Sequence, residues 1–194
     1  RDDSVMTNGS LLYLKSASRA EGRLEVLANA VDFLSSPQAS VRQASLFLLK
    51  DISYWNPRSL LKDSLGCLDK LAMVVTYGTH DECSEALQVC RQLSSEDTAL
   101  MCTKRSLLSA IVRLVTTEPI VNRTAFANGC MVLIALMSDD SSMPAFLCFD
   151  SLLPWLIQLA NRTVDDDMKQ QLVSVIIRYT VAKLNEISPT AAAI

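Results

Sequence analysis

Six cysteines and one histidine are the side chains of this 194-residue sequence best suited to metal binding or covalent chemistry. Thiolates in regularly spaced pairs bind zinc, and thiols in a secreted chain form a disulfide framework. The cysteines are Cys67, Cys83, Cys90, Cys102, Cys130 and Cys148. No two of them form a C-x-x-C pair, and their spacings fit no zinc or disulfide framework. We therefore expect reduced cysteines, as in cytoplasmic or nuclear proteins. Cys67, Cys90 and Cys130 occupy apolar positions of the repeat described below and are expected to be small buried residues.

His80 is the remaining candidate for acid–base catalysis, and the sequence offers it no recognisable partner. It lies between Gly78 and Asp81 in a segment predicted to be a loop. The sequence contains no Walker A, nucleophile-elbow or zinc-protease motif, and it has only five glycines. The acidic run 165–167 stands where a helix is predicted to begin, and carboxylates there stabilise the positive end of the helix dipole. We predict that the protein is not an enzyme and binds no metal or cofactor.

The composition limits the classes of partner. Hydrophobic residues make up 49% of the chain, charged residues 20%, and the formal net charge is −3. These values are typical of a folded domain and argue against nonspecific nucleic-acid binding, which needs a basic face. No apolar run approaches the roughly 18 residues that cross a bilayer. The sequence begins with RDDSVMTNGS, which has neither an initiator Met nor the apolar run of a secretory signal. We expect a piece of a longer protein.

The elements that would position functional side chains repeat with a period of about 40 residues. The first set of apolar markers is Leu27, Val31 and Leu34, then Leu68, Ala72 and Val75, then Leu108, Val112 and Val115, then Leu153, Ile157 and Ala160. In each repeat the second set begins 12 residues after the last marker of the first set. Its members are Leu46 and Leu49, Leu87 and Cys90, Ala127 and Cys130, then Leu172 and Val175. Both sets have helical spacing. Two helices per unit at this period indicate an armadillo or HEAT-type solenoid.

The sequence therefore predicts an all-α fold with an outer and an inner helix in each repeat. The outer helices are expected near residues 21–34, 59–77, 100–116 and 151–160, and the inner helices near 40–53, 81–94, 122–137 and 165–185. The domain spans 21–187, with repeats at about 21–56, 57–97, 98–138 and 145–187. Residues 1–20 are expected to form an N-terminal cap or the tail of a preceding repeat, and 188–194 a flexible tail. A polar loop is predicted at 138–146.

The fourth repeat resembles armadillo repeats most closely. Its sequence DSLLPWLIQLA, residues 150–160, is similar to the small-residue turn, apolar-Pro step and leucine-rich helix of that family, with Pro154 in the first turn. The first repeat, LSSPQASVRQASLFLLKDIS, resembles both armadillo and HEAT sequences, and Arg42 and Arg123 occupy the place of the inner-helix Arg of HEAT repeats. The resemblance implies a right-handed solenoid of about four repeats that serves as an interaction scaffold or adaptor.

Importin-type armadillo proteins hold extended peptides with a Trp and an Asn one turn apart on the inner helix. The matching pairs here are Phe47 with Asp51, Gln88 with Gln92, Asn128 with Val132, and Val173 with Ile177. No repeat has the Trp–Asn pair, so the resemblance does not extend to nuclear-localisation signals. A more general role in binding a partner's helix or linear segment remains.

Two surfaces are candidates for that role. Solenoids bind partners on the concave face lined by inner helices, and the residues expected there are Phe47, Lys50, Asp51, Tyr54, Gln88, Arg91 and Asn128. The last inner helix is apolar almost all round, so Val173 and Ile177 are expected either to bind a partner or to be covered by further chain. The aromatic residues Phe47, Tyr54 and Trp55 are either interface anchors or packing residues.

Two alternatives to a protein-binding scaffold stay open at this point. A nucleic-acid-binding HEAT-like solenoid would need Lys104, Arg105, Arg113 and Arg123 to form one basic stripe. A structural segment would use its apolar terminal helix for self-assembly, which would make the protein a homo-oligomer.

Overall fold

The computed structural model describes residues 20–62, 65–117, 120 and 122–191, and within these residues every regular element is a helix. The prediction of an all-α fold is thus confirmed for the described part of the chain. The helices are α1 (Ala20–Phe33), α2 (Ala39–Trp55), α3 (Pro57–Leu60), α4 (Cys67–Tyr77), α5 (His80–Ser94), α6 (Thr98–Thr103), α7 (Arg105–Thr116), α8 (Arg123–Met137), a 3-10 helix (Asp140–Phe146), α9 (Leu152–Arg162) and α10 (Asp166–Ala191). The predicted N-terminal segment 1–20 lies, apart from Ala20, outside the described residues.

The long helices pack in pairs, and each pair contacts the next. The pairs are α1 with α2, α4 with α5, α7 with α8, and α9 with α10. The first members of consecutive pairs contact one another, and so do the second members. The most extensive contact is between the pairs α4–α5 and α7–α8. The 3-10 helix packs between α8 and α10. Helices α2 and α5 thus lie side by side, which brings residues about 40 positions apart in sequence together.

Two predicted outer helices are each divided into a short and a long helix. The predicted helix 59–77 contains α4 and only the end of α3, and Gly66 just before α4 has a positive φ of 59°. This left-handed conformation is accessible to Gly and costly for other residues, so it breaks the helix. The segment 100–116 breaks at Lys104, with φ −86° and ψ 80°. Periodicity continued through both breaks and therefore did not reveal them.

The segment predicted as a polar loop, 138–146, contains the 3-10 helix. The Asp139 side chain accepts a hydrogen bond from the Ser141 backbone N–H at 3.1 Å and begins this element. Its apolar residues Met143 and Phe146 are 3% and 0% exposed, so the segment belongs to the core. At the other end of the chain, α10 continues to Ala191, whereas a flexible tail was predicted from residue 188.

The repeat markers predict the core in the first two repeats and partly fail in the last two. Ile157 is 46% exposed and Ala127 is exposed, whereas the neighbouring Leu156 is fully buried. The N-cap of α8, Asn122, follows the N-cap of α5, Thr79, by 43 residues, whereas the markers assumed 40. Because each residue turns a helix by about 100°, a few residues in a connection change which side chains face the core.

Three cysteines occupy the core positions expected of them. Cys67, Cys90 and Cys130 are 1%, 0% and 7% exposed, which confirms their prediction as small buried residues. All six cysteines are free thiols. Burial raises the pKa of Cys67 to about 12, so this thiol stays protonated at neutral pH.

Candidate protein-interaction surfaces

The first candidate surface lies where α2 and α5 run side by side. Lys50 Nζ on α2 is 2.5 Å from Glu85 Oε2 on α5, and it lies 4.9 Å from the ring centroid of Phe47. Both charged side chains are partly exposed, at 30% for Lys50 and 20% for Glu85. A cation–π contact and an ion pair together fix the orientation of a long, otherwise mobile lysine. The surface formed by Lys50, Tyr54, Trp55, Glu85 and Arg91 is called the α2–α5 surface below.

Two adjacent aromatic residues project from the end of α2. Tyr54 is 69% exposed and Trp55 is 71% exposed, and their rings meet edge to face with centroids 5.3 Å apart. The preceding residues Ile52 and Ser53 face the core, and Asn56 and Pro57 end the helix. Neither ring is a core residue within the described structure.

The sequence assigned three further residues of α5 and α8 to the concave face, and the structure separates them. Gln88 is half-buried and Arg91 is exposed, both on α5. Asn128 is 8% exposed, and its Nδ2 donates to the backbone oxygen of Ser84 at 3.5 Å. The prediction of Asn128 as a surface residue is wrong, because the longer connection before α8 turns this residue toward α5. Asn128 helps to hold α8 against α5 instead.

Phe47 and Asp51 lie at the edge of this surface. Phe47 is 37% exposed, and besides contacting Lys50 it lines a groove between α1 and α2. Asp51 is half-buried, one turn after Phe47 on α2. Phe47 is less exposed than Tyr54, which is 69% exposed.

A buried ion pair holds α2 and α5 in place next to the α2–α5 surface. Arg42 Nε on α2 is 2.9 Å from Glu82 Oε1 on α5, and the Glu82 side chain is only 3% exposed. The other oxygen of Glu82 accepts the Thr79 backbone N–H at 2.8 Å, and Thr79 Oγ1 accepts the Glu82 N–H at 3.3 Å, which forms a capping box. Arg42 also donates to the backbone oxygen of Ser36 at 2.8 Å.

The pKa of Glu82 shows which influence dominates at this pair. Burial alone would raise it, but the hydrogen bond from the Thr79 backbone and the guanidinium of Arg42 lower it, and the net pKa is below its ordinary value of 4.5. Glu82 is therefore ionised at neutral pH. The HEAT resemblance singled out Arg42, whereas no motif in the sequence indicated its acidic partner 40 residues away.

The second candidate surface is a stripe of exposed apolar residues along α10, called the α10 stripe below. Val173, Ile177, Val181 and Leu184 are 45%, 58%, 51% and 58% exposed. They follow one another at helical spacing on the face opposite Leu172 and Val175, which are buried. Val173 and Ile177 were predicted here. Val181 and Leu184 were missed, although they continue the same spacing.

On the side of α10 that faces the rest of the protein, the Tyr179 hydroxyl and two neighbouring cations hold the helix in place. Tyr179 is 1% exposed, and its hydroxyl donates to the Phe149 backbone oxygen at 3.1 Å. Arg178 Nε lies 3.5 Å from Asp140, and Lys183 Nζ lies 3.4 Å from Asp150. These bonds orient α10 so that the stripe faces away from the 3-10 helix and its flanks.

The residues considered for catalysis show no nucleophile prepared for reaction. His80 and Cys83 both line a cleft of about 340 Å³ between α4–α5 and α7–α8. The backbone oxygen of His80 accepts a hydrogen bond from Asn122 Nδ2 at 2.7 Å, and burial raises the pKa of the Cys83 thiol to about 11. Among the described residues, no group of three His, Cys, Asp or Glu side chains could hold a metal ion.

The basic residues considered for nucleic-acid binding do not form one stripe of unpaired positive charges. Lys104 Nζ lies 3.5 Å from Asp69, which offsets its charge. Arg105 and Arg113 are exposed at the two ends of α7, and Arg123 is exposed at the start of α8. In the described part of the chain, none of the helices is both long and apolar enough to span a membrane.

Comparison with known proteins supports the fold and leaves the function open. No family model matches the sequence, and no curated protein is significantly similar to it. The solved structures similar to this chain include the crystal structure of an engineered protein, target OR329 of the Northeast Structural Genomics Consortium. The TM-score is 0.66 at 14% sequence identity, over 89% of this chain and 72% of the other. At that identity the similarity concerns the fold alone.

Proposed function

We propose that this protein is an interaction scaffold that binds a helix or linear segment of another protein through the α2–α5 surface. The exposed pair Tyr54–Trp55 beside the Lys50–Glu85 ion pair is the observation that supports the proposal. Tyr and Trp are the residues most enriched in binding hot spots, together with Arg, because they bury a large area with few rotatable bonds. Arg91 on the neighbouring helix adds a third residue of that class.

The arrangement also suits a partner with both apolar and charged groups. The aromatic rings would pack against apolar side chains, while Lys50, Glu85 and Arg91 would bind backbone carbonyls or charged side chains at the rim. Because the Lys50 side chain is already held by Glu85 and Phe47, little additional side-chain entropy is lost when a partner binds. No covalent step is required of any residue in this proposal, and we place the protein among non-enzymes.

The wider architecture that we propose is a right-handed solenoid of about four armadillo or HEAT-like repeats. Its support is the sequential contact of helix pairs, together with the 40-residue offsets of the ion pair Arg42–Glu82 and the bond from Arg178 to Ser138. We also propose a cytoplasmic or nuclear location, for which the six free cysteines are the support. A solenoid of this kind presents extended surfaces and separate ends to its partners.

The α10 stripe is a second surface available to a partner. It comprises four residues, whereas a stable interface has about 20–30 residues on each side. We therefore propose that a partner bound at α10 also contacts neighbouring elements, and that the stripe alone does not form a stable homodimer. Homo-oligomerisation remains the alternative for this surface.

The test places a photo-crosslinking residue at position 54 in one variant and at position 77 in another. Tyr77 on α4 is the matched control, because it is also an exposed tyrosine, at 79%, but lies on a different helix. We expect position 54 to crosslink one defined set of cellular proteins that position 77 does not. The double variant Tyr54→Ala/Trp55→Ala should lower the affinity of the purified partner by at least about tenfold.

Two outcomes would count against the α2–α5 surface. One is equal crosslinking from positions 54 and 77, which indicates nonspecific adhesion of an exposed aromatic residue. The other is full affinity in the double variant together with loss of affinity in Ile177→Ser, which would move the site to the α10 stripe. Light scattering on each variant checks that the oligomeric state has not changed.

A further inference from the structure

Three aromatic side chains form a row along the exposed side of α2. Phe47, Tyr54 and Trp55 are 37%, 69% and 71% exposed. Phe47 and Tyr54 are about two helical turns apart, so they project from the same side of α2 at positions about 10 Å apart along its axis. The Trp55 ring meets the Tyr54 ring at an interplanar angle of 80°, so these two rings form a corner at one end of the row. The three residues are called the α2 aromatic row below.

The two rings at the end of the row carry hydrogen-bond donors that a partner can use. The Tyr54 hydroxyl and the Trp55 indole N–H both donate, and neither side chain has a hydrogen-bond partner among the residues that the structure describes. An α-helix uses its carbonyl oxygens in its own hydrogen bonds, whereas a polyproline II segment has no internal hydrogen bonds and leaves its carbonyl oxygens available. The two donors therefore favour an extended partner over a helical one.

The spacing of the row matches one turn of a polyproline II helix. That helix has three residues per turn and rises about 3.1 Å per residue, so side chains three residues apart lie on one side of it, about 9 Å from each other. Positions 47 and 54 are about 10 Å apart along α2. The side chains on one face of a β-strand are about 7 Å apart, and two such steps span about 13 Å, so a strand does not fit the row as well.

The charged groups beside the row are already paired. Lys50 Nζ lies 2.5 Å from Glu85 Oε2, and Arg58 Nε, close to Trp55 in sequence, lies 3.3 Å from Glu96 Oε2. Neither pair has a net charge, so charge complementarity favours an uncharged segment over a strongly acidic or basic one. A polyproline II segment is also largely preformed, and for that reason it loses little conformational entropy when it binds.

We propose that the partner at the α2–α5 surface is a proline-rich segment in the polyproline II conformation, which lies along α2. Two of its prolines, three residues apart, pack on Phe47 and in the corner between Tyr54 and Trp55, and the donors of that corner bind its carbonyl oxygens. This inference rests on the proposed function, and it narrows the partner from a helix or linear segment to one conformation.

The test follows the indole N–H resonances of the 15N-labelled full chain by NMR during titration with an uncharged ten-residue peptide whose prolines are three residues apart. The chain has two tryptophans, and Trp155 on α9 is the internal control because it is only 8% exposed. The variant Trp155→Phe assigns the two resonances. We expect the Trp55 resonance to move in a saturable way while the Trp155 resonance stays in place.

A second peptide of the same composition, with prolines four residues apart, tests the register. The first peptide should bind at least about fivefold more tightly, because only its prolines lie on one side of the polyproline II helix. Phe47→Ala should remove that advantage. Tyr54→Phe keeps the ring and loses the hydroxyl, so it should weaken binding about two- to tenfold, as expected for one hydrogen bond. Tyr77→Ala, at an exposed tyrosine of α4, is the matched control and should leave the affinity unchanged.

Three results would overturn the proposal. The first is equal affinity for the two proline peptides, and the second is a Trp55 resonance that does not move. The third is tighter binding of an amphipathic helical peptide of the same length. Crosslinking from position 54 separates this inference from the proposed function. A defined partner crosslinked at a segment without proline would leave the α2–α5 surface in place and refute the polyproline II conformation, whereas equal crosslinking from positions 54 and 77 would refute both.

Discussion

Replacing Glu82 by Gln tests whether one buried carboxylate holds α2 and α5 together. Glu82 accepts hydrogen bonds from Arg42 Nε at 2.9 Å and from the Thr79 N–H at 2.8 Å, and its side chain is 3% exposed. A hydrogen bond to a charged group contributes about 1.5–3 kcal/mol, and a cap contributes about 1 kcal/mol. Gln keeps the shape and one acceptor, so we expect the free energy of unfolding at pH 7 to fall by about 1–3 kcal/mol.

Removing the whole Glu82 carboxylate should lower the free energy of unfolding further. Glu82→Ala leaves the guanidinium of Arg42, whose side chain is only 22% exposed, without its anion, and breaking a buried pair costs about 3–5 kcal/mol. The assay is denaturant unfolding followed by circular dichroism. Glu85→Gln on the same helix is the control, because that carboxylate is 20% exposed and its pair with Lys50 should contribute about 0–1 kcal/mol.

The pH dependence gives an independent check on the same pair. The pKa of Glu82 is lower in the folded protein than its ordinary value of 4.5, so the carboxylate stabilises the fold above pH 4.5. That stabilisation is lost as the pH falls through the folded pKa. The difference between wild type and Glu82→Gln should therefore shrink below pH 4.5. A difference that is absent at pH 7, or that grows on acidification, would refute the reasoning.

Two smaller predictions concern the core. A methyl group at Gly129 of α8 would lie 2.9 Å from a methyl of Val115, so Gly129→Ala should lose about 1 kcal/mol of stability in denaturant unfolding, despite its better helix propensity; a net gain would contradict the packing. In native protein treated with iodoacetamide, mass spectrometry should find Cys148 alkylated before Cys67 and Cys90, because Cys148 is exposed and burial raises the pKa of the other two. Equal rates of modification would show that the helices open readily.

The helices themselves were predictable because most of them are amphipathic and have ordinary ends. The predicted inner helices 81–94 and 122–137 match α5 and α8 to within a residue, and Thr79 and Asn122 cap them with their side chains. The breaks at Gly66 and Lys104 were not predictable from periodicity, since apolar spacing continues on both sides. The order of apolar and polar residues does not indicate a local backbone conformation of this kind.

The candidate site was predictable in its residue types and less so in its geometry. Tyr54 and Arg91 are exposed as the concave-face hypothesis required, and Val173 and Ile177 are exposed on α10. Asn128 is buried. The number of residues between α7 and α8 determines which side of α8 faces the core. Aligning the repeats of this one chain with one another did not give that number correctly.

The rigidity of the α2–α5 surface distinguishes it from other exposed apolar groups on the molecule. The Tyr54 and Trp55 rings restrain each other, and Lys50 is held by Glu85 and Phe47. Immobilising a flexible side chain on binding costs about 0.5–1.5 kcal/mol, so a surface that is already ordered retains more of its contact energy. The α10 stripe consists of exposed aliphatic side chains, which offer a partner apolar contact area. For that reason a specific partner is expected first at α2 and α5, with α10 contributing area more than specificity.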